Sequence, residues 1–457
     1  MTDIDETVQE KERGGIYQTL TNSFAEPYRF RPMFFIERFL LSSLFEYDAK
    51  KHLLMKGFQL GLIFYLLLRL IDDKRPSIAI SMFFLLFSSA TVIDNFWRIG
   101  SAEPLYVLLL LSLLICIKNK MWIISPFFWC LFLLSKETAI FTSIIILPWV
   151  FTQNRVTATR MTILTIIVTI LLVPRLILIK QDPYMSQWNF NGLISINLFL
   201  EYCKENILTI VLFIGATLLA LSKFRLRPLY FLKHHSYMLT LFGLVLVHIY
   251  PLLMFNNFHQ YYALPFIICI YLFINFVVIA CRVNTNLIII ASLIVAVTQL
   301  PISKKVGDTW NLWYAKDVAM VSYLLNNDIS KQFQIIYIDE PRIQHISAIN
   351  YLLSDYGNKT IEVHPSNNLA WNIYNQSGWE ALKIESEKSV DDFINQNKPS
   401  VLISVNCDNS KLISFDKQRF CTYAPSLKVN VCDRCIVTKT PFSCRKGYES
   451  IYSLPSK

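Results

Sequence analysis

Three basic side chains lie at the ends of long apolar runs or within them. Arg98 and Lys136 lie in short segments between runs, and Arg175 lies inside the run 171–177. A charge in such a place is costly unless it is paired or faces a cavity. A guanidinium can hold two oxygens of an anion and an ammonium acts as a point charge, so these residues are candidates for holding an anionic group. The alternative for Arg175 is snorkelling to the membrane interface.

Two acids, Glu103 and Glu137, follow two of these cations closely in the sequence. Each could position those cations or contact a bound acceptor. Each could equally cap the helix that follows it, because carboxylates are favoured at helix N-termini. The sequence leaves these two interpretations open.

The elements that must position these side chains are membrane helices. Of the 457 residues, 54% are hydrophobic and 17% are charged, whereas soluble domains carry roughly 25% charged residues. Apolar runs fill 53–300, while 1–52 and 301–457 have the composition of water-exposed protein. The net charge of +10 does not indicate nucleic-acid binding, because the basic residues lie mostly in short loops between the runs. We predict an N-terminal segment (1–52), a transmembrane domain (53–300) and a C-terminal domain (301–457).

A membrane-spanning helix needs about 20 mostly apolar residues, and the runs predict about ten such helices. They are 53–71, 76–93, 104–117, 121–135, 138–151, 161–179, 206–222, 237–254, 261–281 and 286–300. The predicted fold class is an α-helical polytopic membrane protein with a small C-terminal α/β domain.

Basic residues concentrate in one set of alternate loops, which is typical of the cytoplasmic side. That set contains Lys74, Arg75, Lys118, Lys120, Arg155, Arg160, Lys223, Arg225, Arg227, Lys233 and Arg282. With ten spans, the N-terminal segment and the C-terminal domain are then extracytoplasmic, although Lys50 and Lys51 beside the first span oppose this orientation. No apolar stretch precedes the N-terminal segment. We therefore expect either a further helix upstream of Met1 or a tail that crosses the membrane alone.

Several short motifs follow one another in a particular order. They are the acidic pair Asp5-Glu6, Arg31-Pro32, the semi-apolar segment 34–47, His52, the loops 96–103 and 135–138, and the segment 259–265. Together they resemble the GT-C membrane glycosyltransferases that use polyprenyl-phosphate sugars, such as protein O-mannosyltransferases and the aminoarabinose transferase of lipid A. The resemblance covers roughly 1–300. In that family the acidic pair follows a first transmembrane helix, which this sequence lacks.

The resemblance implies an inverting transfer in which an acceptor hydroxyl attacks the anomeric carbon while phosphate leaves. It assigns the general base to the acidic pair, to Asp5 within it, with Asp3 as the competing choice. The substrate-binding residues are then Arg98, Glu103, Lys136, Glu137, Arg175, His259 and Tyr261. A solvated acidic tail is the alternative for the acidic pair, and an aromatic interface belt is the alternative for Tyr261. The moderately amphipathic segment 34–47 is expected to lie on the outer membrane surface.

The implied partners are a polyprenyl-phosphate-linked sugar donor, a lipid, glycan or protein acceptor, and membrane lipids, without nucleic acid. We predict no metal site and no cofactor, and a requirement for a divalent metal stays open. The predicted location is a bacterial inner (plasma) membrane.

The C-terminal segment combines helical and strand patterns. Helices are predicted at 318–329 and about 342–355, and strands at 333–339 and 401–405. Five cysteines cluster there, at Cys407, Cys421, Cys432, Cys435 and Cys444. Disulfides are favoured outside the cytoplasm, and a zinc site including the Cys-x-x-Cys pair is the alternative.

Three other functions compete with the glycosyltransferase hypothesis. A flippase or transporter of a lipid-linked glycan should show interrupted helices in matched halves. A polysaccharide polymerase or ligase usually has a large outer loop late in the chain, whereas the largest outer loop predicted here is 180–205. The remaining alternative is a truncated, inactive remnant.

Overall fold

The computed structural model describes residues 31–45, 49–73, 75–97, 101–178, 192–226, 228–254 and 260–326. Beyond these it describes residue 353 and short strands between 335 and 423. The chain forms two compact units, one comprising Thr7–Gly307 and the other comprising Met1–Glu6 with Asp308–Lys457.

Helices make up the described part of the first unit. In chain order they are α1 (Pro32–Phe45), α2 (Ala49–Ile71), α3 (Pro76–Ser88), α4 (Ala90–Trp97), α5 (Glu103–Lys118), α6 (Ser125–Leu133), α7 (Ala139–Gln153), α8 (Arg155–Leu178), α9 (Gly192–Glu205), α10 (Ile207–Leu226), α11 (Pro228–Met254), α12 (Leu264–Ala280) and α13 (Thr285–Asn326). A short 3₁₀ turn, Gln260–Ala263, leads into α12, and α13 continues past the boundary of the first unit.

Four helical segments are long and apolar enough to cross a membrane. They are Lys50–Ile71, Arg155–Leu172, Tyr261–Ala280 and Asn286–Gly307. Two bent pairs raise the number to six if each pair is counted as one span: α3 with α4, bent by 63°, and α9 with α10, bent by 91°. The protein is therefore mostly helical, with four to six candidate spans among its described residues, and the count of ten spans stays a prediction.

Two predicted segments differ clearly from the structure. The predicted span 121–135 contains α6, whose nine residues extend about 14 Å, less than half of the roughly 30 Å hydrocarbon core. The predicted loop 180–205 contains the helix α9. Hydropathy records neither a helix boundary nor a change of helix direction, so apolar runs alone do not show where a helix ends or bends.

Two hydrogen bonds show that α2 and α5 run parallel to each other. At one end the Lys56 ammonium donates to the Ser101 carbonyl at 3.2 Å. At the other end the Lys118 ammonium donates to the Leu70 carbonyl at 2.7 Å. We call these the Ser101 end and the Lys118 end of the bundle. Lys118 also lies 3.7 Å from Asp72, so both ends of this helix pair are held by a lysine.

Helices α5 and α12 form the centre of the first unit. In the span Tyr261–Ala280, 83% of the residues are buried inside the protein, against 28% in Arg155–Leu172 and 33% in Asn286–Gly307. A helix that is apolar all round belongs in a protein interior or a membrane. Helix α12 lies in the protein interior. Helices α8 and α13 are poorly buried and present apolar side chains outward.

The second unit contains a five-stranded sheet among its described residues. Its strands are β1 (Ile335–Asp339), β2 (Glu362–Pro365), β3 (Leu402–Ser404), β4 (Ile413–Phe415) and β5 (Phe420–Tyr423). Their order is β2-β1-β3-β5-β4, with β1 parallel to β2 and β3, and β5 antiparallel to β3 and β4. Strands β1 and β3 lie within the predicted strand segments. The α/β character of the whole domain stays a prediction, because most of its residues lie outside those described.

The close contact between α7 and α11 provides a test of the packing. A Cβ atom at Gly243 would lie 2.7 Å from the Ile145 Cγ2 atom, whereas a Cβ atom at Gly215 would meet nothing within 4 Å. We expect Gly243→Leu to destabilise the protein by about 1–3 kcal/mol through overpacking. Gly215→Leu should be neutral or stabilising, because leucine favours a helix over glycine. Thermal unfolding in detergent measures the stability of both variants. Equal melting temperatures of the two variants would contradict this packing.

Candidate functional site

Three predicted site residues meet at the Ser101 end of the bundle. Glu103 begins α5, and Lys136 and Glu137 lie in the short segment between α6 and α7. Tyr261 belongs to the 3₁₀ turn before α12, and the backbone of Arg175 lies within α8. The other predicted site residues lie outside the described part of the chain; they are Asp3, Asp5, Glu6, Arg98 and His259.

The centre of the site is a buried ion pair between Lys136 and Glu103. The Lys136 Nζ and Glu103 Oε1 atoms are 2.5 Å apart, and the two side chains are 7% and 1% exposed. The Ser101 hydroxyl lies 2.6 Å from the other carboxylate oxygen of Glu103. Both oxygens of the carboxylate therefore have a donor, as a buried charge requires. The pair joins the beginning of α5 to the segment between α6 and α7.

A second ion pair connects the chain before α1 to the same segment. The Arg31 Nε atom lies 2.8 Å from Glu137 Oε2 and 3.0 Å from Glu137 Oε1. The side chains of Arg31 and Glu137 are 11% and 19% exposed, so this pair is more accessible than the first. A backbone hydrogen bond from the Met33 N–H to the Leu134 carbonyl, at 3.1 Å, supports the same junction.

Asn95 connects this cluster to the 3₁₀ turn. Its side-chain amide donates to the Tyr261 carbonyl at 3.0 Å, and its oxygen lies 2.7 Å from the Ser101 hydroxyl. The Tyr261 and Tyr262 rings lie 4.1 Å apart, and the Lys136 ammonium lies 5.2 Å from the centre of the Tyr262 ring, within the range of a cation–π contact. Tyr261 thus contributes its backbone carbonyl as a hydrogen-bond acceptor for Asn95, and the ring of Tyr262 contacts the Lys136 ammonium.

We refer to Arg31, Ser101, Glu103, Lys136 and Glu137 as the acid–base cluster. Three of its members line a small cleft, together with Thr138, His248, Pro251, Tyr262 and Pro265. The described side chains enclose about 20 Å³ there, which is room for a water molecule. The two cations, Arg31 and Lys136, therefore both line this cleft.

Sequence reasoning missed His248, which lies in the interior of α11. Its Nδ1 atom lies 2.7 Å from the Leu244 carbonyl, which assigns the ring proton to Nδ1. Its Nε2 atom can then accept a hydrogen bond from the Tyr106 hydroxyl, 2.9 Å away. The sequence did indicate His248 as a candidate, because an ionisable residue inside an apolar run often belongs to a functional site.

The electrostatics of the central pair favour an ionised carboxylate. Burial raises the pKa of Glu103, but the Lys136 ammonium, the Ser101 hydroxyl and Arg31 together outweigh it and lower that pKa to about 2. Burial lowers the pKa of Lys136, and the Glu103 carboxylate opposes that shift. Glu103 is therefore ionised at neutral pH, and its carboxylate favours the charged form of Lys136.

The four charges of the acid–base cluster sum to zero. Each acid contacts a cation from a distant part of the sequence, 33 residues away for Glu103 and 106 residues away for Glu137. Both carboxylates thus position cations, which is one of the two interpretations that the sequence left open. The arrangement can present two fixed positive groups to an anion that enters the cleft.

The described residues contain no group of three histidine, cysteine or acidic side chains that could hold a metal ion. Their cysteines Cys116, Cys130, Cys203, Cys269 and Cys281 are free thiols. The side chains of the C-terminal cysteines, for which disulfides were predicted, lie outside the described part.

Comparison with protein-family models, with curated proteins and with solved structures finds no match to this chain. The resemblance to the GT-C glycosyltransferases therefore depends on the sequence motifs, and the function has to be argued from the acid–base cluster.

The buried pair predicts a specific mutational pattern. Lys136→Met leaves the Glu103 carboxylate buried without its cation, and we expect a loss of about 3–5 kcal/mol in the free energy of unfolding. Adding Glu103→Gln should restore a large part of that loss, because the double variant contains no unpaired charge. Chemical unfolding in detergent gives the coupling free energy of the two positions.

The control for this prediction is the pair formed by Asp73 and the exposed Arg75. Asp73→Asn should leave unfolding unchanged, because surface ion pairs contribute little. Additive effects of Lys136→Met and Glu103→Gln would contradict a direct pair.

Proposed function

We propose that this protein is a membrane glycosyltransferase that moves a sugar from a polyprenyl-phosphate carrier to an acceptor hydroxyl on the outer face of the membrane. The observation that carries this proposal is the acid–base cluster, in which the buried Lys136 and the part-buried Arg31 line one cleft at the Ser101 end. The proposal includes about ten spans, an extracytoplasmic N-terminal segment and C-terminal α/β domain, and a bacterial inner membrane as the location. The acceptor is a lipid, a glycan or a protein.

The Arg31–Glu137 pair supports the choice of a phosphate-bearing donor. One guanidinium nitrogen contacts both oxygens of a carboxylate there, and phosphate oxygens suit the same cation. Glu137 is the most exposed of the four charged side chains, so a phosphate can displace it from Arg31 at the lowest cost. Lys136 then adds a second positive charge from beneath the cleft.

In the proposed reaction the acceptor oxygen forms a bond to the anomeric carbon. The bond from that carbon to the phosphate oxygen breaks, and the polyprenyl phosphate leaves with the electron pair. The proton of the acceptor hydroxyl passes to a carboxylate, for which the family resemblance favours Asp5. Arg31 and Lys136 stabilise the charge that develops on the leaving phosphate.

Transfer assays with labelled polyprenyl-phosphate sugars test this proposal. We expect Lys136→Gln and Arg31→Gln to lower the transfer rate by about 100-fold or more, because each removes a charge that stabilises the leaving group. Lys118→Gln is the matched control, since Lys118 is a partly buried lysine that also donates to a backbone carbonyl, but at the opposite end of α5. It should retain most of the activity.

The same assay tests the base. Asp5→Asn should abolish transfer, and Asp3→Asn should not. If neither change has an effect while His248→Gln stops the reaction, His248 in the cleft is the base and the assignment of Asp5 is wrong. Full activity of the Lys136 and Arg31 variants, with folding verified by thermal unfolding, would contradict the proposed role of the cluster.

A transporter of a lipid-linked glycan is the second candidate, and the two bent helix pairs favour it. Bends of 63° and 91° interrupt helices in the way that transporters use at their binding sites. The buried charges, in contrast, lie at one end of the bundle, which favours the enzyme.

Purified protein in detergent separates the two functions. An enzyme should transfer the labelled sugar to an acceptor extract without any vesicle, because the reaction needs no second compartment. A transporter should be inactive there and should move the labelled lipid across reconstituted vesicles. Translocation without transfer would replace the glycosyltransferase proposal with the transporter.

A further inference from the structure

The two helix bends lie beside one face of α13. The first break, at Ser89, separates α3 from α4, and the Ser303 hydroxyl donates to the carbonyl of Ser88 at 2.5 Å. The second break separates α9 from α10, and the Gln299 amide donates to the Glu205 carbonyl at 2.7 Å. Gln299 and Ser303 have the i, i+4 spacing that places side chains on the same helix face. One stretch of α13 therefore binds the last carbonyl before each break.

Four side-chain oxygens at these breaks lack a hydrogen-bond partner among the described residues. They are Ser89 Oγ, Asn206 Oδ1, Thr209 Oγ1 and Gln299 Oε1. Their side chains are 0%, 2%, 1% and 3% exposed. A buried polar atom without a partner is destabilising, and four of them around two helix breaks require an explanation. We call these four residues the break cluster.

Other contacts bring the break cluster together in space. The hydroxyl of Tyr271, in α12, is a hydrogen-bonding neighbour of both Ser89 and Thr209, although neither contact meets strict hydrogen-bond geometry. The hydroxyls of Thr91, in α4, and Tyr202, in α9, lie 3.0 Å apart. The two breaks thus meet around buried hydroxyl groups contributed by α4, α9, α10 and α12.

The chemistry of this set suits one class of ligand. Its oxygens are neutral hydroxyl and amide groups, and the described residues provide no group of three acidic, histidine or cysteine side chains for a metal. A divalent ion depends on carboxylates. A monovalent ion can be held by neutral oxygens and by the negative C-terminal ends of half-helices. Helices α3 and α9 both end here.

We propose that the break cluster binds a monovalent alkali cation that holds the two broken helices together. This site is separate from the acid–base cluster, and the proposal goes beyond the glycosyltransferase function. The two are connected through α4, which carries Thr91 at the break cluster and Asn95 beside Ser101. The cation lies at the break that precedes this short helix, whose other end supports the acid–base cluster.

Thermal unfolding of the full-length protein in detergent tests this site. Chloride buffers of equal ionic strength contain Na⁺, K⁺ or the bulky cation N-methyl-D-glucamine. We expect at least one alkali ion to raise the melting temperature saturably, by about 2–4 °C or more. Thr209→Val, which removes one oxygen at constant shape, should abolish most of that rise, and Ser89→Ala should weaken it.

The matched control is Thr217→Val in the same helix, because the Thr217 hydroxyl already donates to the Phe213 carbonyl at 2.8 Å. It should keep the full response to the ion. Binding of radioactive ²²Na⁺ or ⁸⁶Rb⁺, the latter standing for K⁺, should be lost in the Thr209 variant and kept in the control.

Two results would overturn the proposal. One is a wild-type melting temperature that is the same in all three buffers. The other is a Thr209→Val variant that is stabilised equally in every buffer, because the break cluster would then be an unsatisfied or hydrated polar site. Neither result affects the sugar-transfer assay, so this proposal and the proposed function can fail independently.

Discussion

The ion pair between Lys136 and Glu103 is the contact on which the Ser101 end of the bundle depends. Both side chains are almost completely buried, and lipid offers a charge no partner, so each must be neutralised inside the protein. Their contact joins the beginning of α5 to the segment between α6 and α7. Around it, Ser101 connects to Asn95, and Arg31 connects to Glu137. These contacts extend the pair into one network of side chains.

Backbone groups at the broken helices also need partners inside the protein. A helix that bends by 63° or 91° exposes backbone groups at the break, and these need partners that lipid does not provide. Side chains of α13 supply two of them through Gln299 and Ser303. Helix α4 spans the short distance between the breaks and the acid–base cluster. The polar interior of the bundle is therefore concentrated along α4 and at the Ser101 end.

The order of motifs in the sequence identified Glu103, Lys136 and Glu137 as candidates, and the structure places them together. The sequence could not indicate the contact of His248 with Tyr106 or that of Asn95 with Tyr261, because the partners are 142 and 166 residues apart. The sequence also did not indicate the bend between α3 and α4. The break at Ser89 contains neither proline nor glycine, the two residues that mark a break most strongly.

The sequence by itself indicated the class of this protein, because long apolar runs with few charges are typical of membrane-spanning helices. It also determined which side chains would be costly to bury, and hence which to consider as functional. Only the tertiary structure decided their partners. Lys136 pairs with Glu103 and not with the adjacent Glu137, which turns to Arg31. Ion pairing depends on the distance between packed helices, and residues remote in the sequence become neighbours only when those helices assemble.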